Sequence, residues 1–208
     1  MSDGENINLI CEKFLAELRI EAKANFVPVL KSDTETKLVE TLLETKPLKI
    51  LEIGTAIGFS GILMLSVCPQ AVLNTIEFDE YRAAEAKNNF NITGVSDRAN
   101  IFIGDAREIV PKLTGEYDFI FMDGPKGQYI DFLPHLLKVL RVGGILFCDN
   151  VGYMGLTQIA DTLPKRHKHI TIAKNMSKFV KEISMRNDLS TKIFYDIGDG
   201  ISITKKLS

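Results

Sequence analysis

The run Lys49-Ile-Leu-Glu-Ile-Gly-Thr-Ala-Ile-Gly-Phe-Ser60 constrains this chain more than any other stretch. A short apolar run, Ile50 to Ile53, ends in a turn with glycines at 54 and 58, and a helix-forming segment follows. A buried parallel strand, a glycine-spaced turn and a helix, in that order, turn backbone N–H groups and a helix N-terminus towards a nucleotide-like ligand. The next apolar run, Val72 to Phe78, closes on Glu77. A carboxylate at that point can accept hydrogen bonds from both hydroxyls of a ribose. Together the two features predict an adenosine-containing cofactor over the ends of two neighbouring strands.

The rest of the sequence extends this pattern. Ile10, Phe14 and Leu18, spaced by four, predict one apolar face on an N-terminal helix. A break at Pro28 precedes a second helix from Thr34 to Glu44. Strands are expected at 49–54, 72–78, 100–104, 117–123 and 144–149, with helices at 58–67, 79–92, 106–113 and 129–140. Such alternation implies right-handed βαβ crossovers and a parallel sheet covered on both faces. Lys192 to Ile197 and Ile201 to Lys205, separated by Gly198-Asp199-Gly200, instead predict an antiparallel hairpin. The expected fold class is α/β, three-layered and Rossmann-like. Its seven-stranded sheet is mostly parallel and ends in that hairpin. One domain is expected, with a helical cap over 1–46 and a core over 47–208.

Bulk properties restrict the function classes. The 208 residues, 45% of them hydrophobic, suffice for a sizeable core. No apolar run is long enough for a bilayer, and the acidic start from Met1 to Asn6 does not read as a signal peptide. A cytoplasmic protein is therefore expected. Cys11, Cys68 and Cys148 are far apart and suit reduced, buried thiols, with core packing as the role of Cys148. Between Lys165 and Asn187, seven basic residues face Glu182 alone, a local charge of +6 in a chain of net charge −2. That stretch suits either a phosphate-backbone footprint or a lysine-rich solvated helix.

In open α/β sheets, ligands bind beyond the carboxyl ends of the strands. Those ends carry Glu52, Gly54, Gly58 and Ser60, then Glu77, then Gly104-Asp105-Ala106, then Asp123-Gly124-Pro125-Lys126, then Asp149-Asn150. An Asp at a strand end is often a turn former or a helix cap, so each residue alone says little. If the fourth and fifth strands are neighbours, Asp123, Asp149 and Asn150 converge. Two carboxylates and an amide carbonyl suit a hard divalent cation such as Mg²⁺. The histidines, His135, His167 and His169, have no ligand spacing with this cluster.

These motifs, in this order, resemble the cation-dependent O-methyltransferases of class I methyltransferase fold. The group includes catechol and caffeoyl-CoA O-methyltransferases, and the resemblance is closest to small bacterial members that methylate 5-hydroxyuridine in tRNA. It runs from about Val27 to Lys205. It implies S-adenosylmethionine as methyl donor and Mg²⁺ or another divalent cation on Asp123, Asp149 and Asn150. Lys126 matches the general base. Glu77 matches the ribose ligand. Gly54 and Ser60 match the loop around the methionine end, with Ser60 near its carboxylate, and Glu52 and Gly58 are implied in cofactor binding beside them. Asp105 and Ala106 match the adenine contacts, and Leu30 part of an N-terminal strip on the cofactor. Asp123 is implied in donor binding as well. tRNA is the expected acceptor, with a small catechol-like molecule as alternative, and relatives imply a homodimer. A nicotinamide-dependent dehydrogenase fits less well, because the loop lacks a strict G-x-G-x-x-G. A non-catalytic RNA-binding module would not need the acidic cluster beside Lys126.

Overall fold

A computed structural model describes residues 3–208, with side chains from Ile10 onward. The acidic N-terminal start, Met1 to Asn6, falls on residues that lie outside that description in whole or in their side chains. Seven strands form one sheet in the order β3-β2-β1-β4-β5-β7-β6, mostly parallel, with an antiparallel C-terminal pair. Packing divides the chain into two compact units, Met1–Ala106 and Arg107–Ser208.

The first unit contains α1 (Asp3–Ala24), α2 (Ser32–Thr45), β1 (Lys49–Ile53), α3 (Phe59–Val67), β2 (Val72–Glu77), α4 (Glu80–Ile92) and β3 (Ala99–Ile103). The buried face of α1 is Cys11, Leu15, Leu18 and Ala22. The expected face is thus corrected, since Ile10 is exposed and Phe14 only half-buried. Uniform steps of four drift around a helix, whereas mixed steps of four and three hold one face. Helix α3 is buried from Phe59 to Ser66, and α1 and α2 both pack on it. Such all-round burial explains its unbroken apolar sequence. Strands β1 and β2 pair in parallel from Lys49↔Val72 to Ile53↔Ile76. Strands β2 and β3 do so from Leu73↔Ala99 to Glu77↔Ile103. Asp79 caps α4 by accepting from the N–H groups of Tyr81 and Arg82.

The second unit holds β4 (Tyr117–Met122), α6 (Tyr129–Val139), β5 (Leu140–Cys148), α7 (Ile170–Met185), β6 (Leu189–Phe194) and β7 (Ile201–Lys206). The helix expected over 106–113 is corrected to a single turn, α5 (Ala106–Ile109), followed by a 3₁₀ turn through Pro111. Proline lacks the N–H that an α-helix would need there. Phe119, Phe121 and Phe147 are fully buried, and Phe147 lies with its ring centroid 6.3 and 5.7 Å from the other two. The terminal hairpin starts earlier than expected, at Leu189, and its turn spans 195–200, closed by Gly200 N–H on the Ile197 carbonyl. The three cysteines are free and buried. No helix among the described residues is long and apolar enough to cross a membrane.

Candidate active site

In the first unit, the loop after β1 is built around Glu77. Gly54 and Thr55 donate their N–H groups to the Ile76 carbonyl at 3.0 and 3.2 Å. The Ala56 N–H donates to Glu77 Oε2 at 2.7 Å, and the Asp79 N–H to Oε1 at 3.0 Å. Each carboxylate oxygen has two lone pairs, so Glu77 can hold the loop and still accept from two hydroxyls. The loop bends through the left-handed region at Gly54 (φ 102°), Ala56 (46°) and Gly58 (86°). At Gly58 a further constraint applies, because an added Cβ would lie 3.0 Å from Phe90 Cε1 and 3.3 Å from Ala86 Cα. Gly58 is therefore required by the packing of the loop on α4. Asn89 on α4 clamps the same loop by donating Nδ2 to the Ile57 carbonyl at 2.9 Å.

Glu52 stands behind the loop. It is fully buried and accepts from the Ser60 hydroxyl and, at 2.6 Å, from the Thr75 hydroxyl. Ser60 has committed its hydroxyl proton inward. What it offers outward is its place in the first turn of α3, where N–H groups lack an intrahelical acceptor. Asn89 and Thr75 were not singled out as functional residues from sequence, because an Asn in a helix and a Thr in a strand carry no local signal. Gly104 (φ 148°) donates to the Glu77 carbonyl at 2.8 Å, which sets half-buried Asp105 and buried Ala106 just past the end of β3, beside Glu77. Leu30 is buried, and its carbonyl accepts from Arg19 Nη1 at 2.6 Å. Arg19 also pairs with Glu35 and lies 4.6 Å over the Phe59 ring at the start of α3.

In the second unit, β4 and β5 are parallel neighbours with Met122 opposite Cys148. Asp123 and Asp149, the next residues, thus leave the sheet side by side, as the sequence predicted. The Asp149 N–H donates to the Met122 carbonyl at 3.0 Å. The buried Tyr129 hydroxyl lies 3.1 Å from the carbonyls of both Met122 and Asp149, bridging the two strand ends. Asp149 is buried, and its Oδ1 accepts from the Asn150 N–H at 2.7 Å. Asn150 adopts φ 60°, a conformation Asn tolerates better than most residues. Lys126 Nζ stands 3.9 Å from Asp123 Oδ1. Burial first, and then the charge of Asp149, push the Asp123 carboxyl up to about 7 against the opposing pull of Lys126.

The rise thus comes mainly from burial and in smaller part from the neighbouring carboxylate, and a bound cation would oppose both. Among the described residues no three His, Cys, Asp or Glu gather as a metal cluster. Asp123, Asp149 and the adjacent Asn150 offer two carboxylates and an amide instead, residue types whose oxygens suit a hard divalent ion. The terminal turn holds the following segment in place. Val151 and Gly152 donate to the carbonyls of Gly200 and Asp199, both at 2.8 Å, and the Met154 N–H donates to Asp199 Oδ1 at 2.7 Å. A Cβ on Gly152 would lie 2.6 Å from the Asp199 oxygen, and one on Gly200 2.5 Å from the Gly152 nitrogen.

The sequence model of a family described as O-methyltransferase matches residues 6–207. This chain belongs to the O-methyltransferase family. A catechol O-methyltransferase of Niastella koreensis is 32% identical over 146 residues, 67% of this chain and 66% of that protein. The match thus spans just under two thirds of that relative. A caffeoyl-CoA O-methyltransferase of Stellaria longipes is 23% identical over 180 residues, covering 82% of this chain and 73% of that one. A solved Staphylococcus aureus structure, named provisionally as a caffeoyl-CoA O-methyltransferase, has a TM-score of 0.84 at 27% identity and covers 92% of this chain and 91% of its own.

Within this O-methyltransferase-family chain, the remaining nucleophiles and rings have structural surroundings. Burial pushes the Cys68 thiol up to about 11 and the Cys148 thiol higher still. His169 Nδ1 lies 2.7 Å from the Tyr153 hydroxyl, and His167 stacks obliquely on His169. Part of the basic stretch is neutralised locally. Lys181 pairs with Asp161 at 3.3 Å, and Arg186 pairs with Asp188 at 2.6 Å and Glu182 at 3.6 Å.

Proposed function

We propose that this chain transfers a methyl group from S-adenosylmethionine to one of two adjacent oxygens on a small acceptor of catechol or caffeoyl-CoA type. The observation that carries the reading is the pair Asp123 and Asp149 on neighbouring strand ends, with Lys126 Nζ 3.9 Å from Asp123. Glu77 would accept from the ribose hydroxyls, Asp105 and Ala106 would border the adenine, and the first turn of α3 at Ser60 would meet the methionine carboxylate. Leu30 would cover the donor from the N-terminal strip.

Asp123, Asp149 and Asn150 would hold a divalent cation such as Mg²⁺, which when bound supplies Lewis acidity to an acceptor hydroxyl. Lys126 Nζ, in its neutral amine form, would take the hydroxyl proton. The resulting oxyanion forms a bond to the methyl carbon, the carbon–sulfur bond breaks, and the sulfur keeps its electron pair. Asp149 is kept from rotating by the Asn150 N–H, so the oxygen set is preorganised at little cost during reaction.

The sequence pointed first to 5-hydroxyuridine in tRNA. The names of the matched relatives favour the small acceptor, and the basic surface of α7 is the observation left on the side of RNA. Asp149→Ala should abolish cation-dependent transfer while S-adenosylmethionine affinity, read by calorimetry, changes less than about two-fold. Full activity of that variant in the presence of chelator would refute the cation role. Methyl transfer from labelled donor to catechol, caffeoyl-CoA and total tRNA, each with and without Mg²⁺, ranks the acceptors.

A further inference from the structure

We infer that Asn175 on α7 is a positioning residue for Lys126, an inference that rests on the methyl-transfer proposal above. Lys126 opens a 3₁₀ turn, Lys126–Gln128, in which the Gln128 N–H donates to the Pro125 carbonyl at 2.9 Å. A turn this short has little rigidity of its own. The ion pair with Asp123 adds little more. At 3.9 Å it is too long for a hydrogen bond, and the two side chains are 32% and 31% exposed. Where Lys126 stands therefore depends on what holds its backbone from outside.

That support comes from α7. Ile172, Asn175 and Phe179, spaced by three and four, share one face of the helix. Ile172 lies 3.6 Å from where a Gly127 Cβ would stand. The Phe179 ring meets the ring of Tyr129, the first residue of α6, edge-on at 5.5 Å. Between these apolar contacts, Asn175 donates Nδ2 to the Gly127 carbonyl at 2.9 Å. A carbonyl oxygen only accepts, so the amide nitrogen must be the atom that faces it. The peptide joining Gly127 to Gln128 is thus held at both ends, its N–H on Pro125 and its C=O on Asn175. Gly127 has no side chain to restrict it, so these bonds supply the stiffness that its own dihedrals lack. Asn is otherwise a poor choice at this place. It has low helix propensity, and it shares the face of Ile172 and the buried Met176 and Phe179, which favours an apolar side chain. What a carboxamide provides here, and a leucine would not, is the bond to the residue after Lys126. A reacting group displaced by about 1 Å can lose about a hundred-fold in rate, so this bond bears on the chemical step.

The test compares the full parent chain with Asn175→Leu, close in size but without the donor, and Asn175→Gln, which keeps the amide on a longer stem. Deuterium exchange at the Gln128 amide reads the turn directly and needs no turnover. It should be about three- to ten-fold faster in the Leu variant and partly restored in the Gln variant, with the melting temperature of the Leu variant at or above that of the parent. Turnover is measured with Mg²⁺ and whichever of catechol or caffeoyl-CoA the parent methylates. The kcat of the Leu variant should fall about ten-fold and recover in part with Gln, while acceptor KM and S-adenosylmethionine affinity stay within about two-fold. Unchanged exchange or unchanged kcat overturns the inference. So does a rise in acceptor KM at constant kcat, since Asn175 would then bind the acceptor, and so does a loss of kcat accompanied by a fall in melting temperature. If the parent methylates no acceptor, faster exchange in the Leu variant that Gln restores supports the clamp and sinks the methyl-transfer proposal alone.

Discussion

Glu77 performs two tasks with two oxygens. It fixes the N–H groups of Ala56 and Asp79, and its remaining lone pairs would accept from the proposed ribose. Glu77→Gln replaces one acceptor by a donor, so the loop and the ligand must compete for what is left. We expect S-adenosylmethionine affinity to fall by about ten- to a hundred-fold, measured by calorimetry, with only a small change in melting temperature. Asp123 makes a different prediction. Its ordinary value is 3.8 and its folded value about 7, so between those limits the folded chain binds the extra proton. Without a divalent ion, stability should therefore decline as pH rises through that window and level off above it. The carboxylate is partly open to water, which limits the effect to roughly 1–2 kcal/mol. Thermal melts with chelator should show this slope in the parent chain and lose it in Asp123→Asn.

At the scale of elements, the close approach of Gly152 to the terminal turn is the sharpest constraint. Gly152→Ala would drive a Cβ to 2.6 Å from the Asp199 oxygen. The two backbones must separate, at a cost of roughly 2–4 kcal/mol. Melting temperature and Mg²⁺ affinity should both fall, whereas Gly155→Ala, with open space around its Cβ position but φ 73°, should cost only about 1 kcal/mol. Much at this scale was legible in the sequence. The strands at 49–53, 72–77 and 117–122 show as apolar runs with polar ends, because burial on two faces leaves such a mark. The pairing of Asp123 with Asp149 followed from strand adjacency. The α1 face was missed because three apolar residues at uniform spacing outweighed the mixed pattern of Cys11, Leu15, Leu18 and Ala22. The inward turn of Glu52 and Ser60 could not be read, since a strand-end Glu looks the same whether it meets ligand or core. Which basic residues of the stretch are neutralised was legible only in part, since Asp188 follows Arg186 closely in sequence whereas Asp161 meets Lys181 only through the fold.

Across the molecule, protection should follow the sheet. In the second unit β5 is flanked by β4 and β7, and Leu146 and Phe147 are fully buried. Their amides should exchange with deuterium more slowly than those of β6, which among the described residues pairs only with β7. Faster exchange in β5 than in β6 would contradict the strand order. Charge pairing has its own consequence at this scale. Raising salt from 50 to 200 mM should change the Michaelis constant of a small acceptor by a few-fold at most, because few charges are screened. A nucleic acid held by many phosphates would lose about a thousand-fold or more. The contact of residues 151–154 with the turn at Asp199 and Gly200 also makes the hairpin a clasp, because it fastens the segment behind Asp149 and Asn150 to residues far along the chain. A loosened turn would be felt first in that segment, and any ion held by those residues would be gripped less firmly.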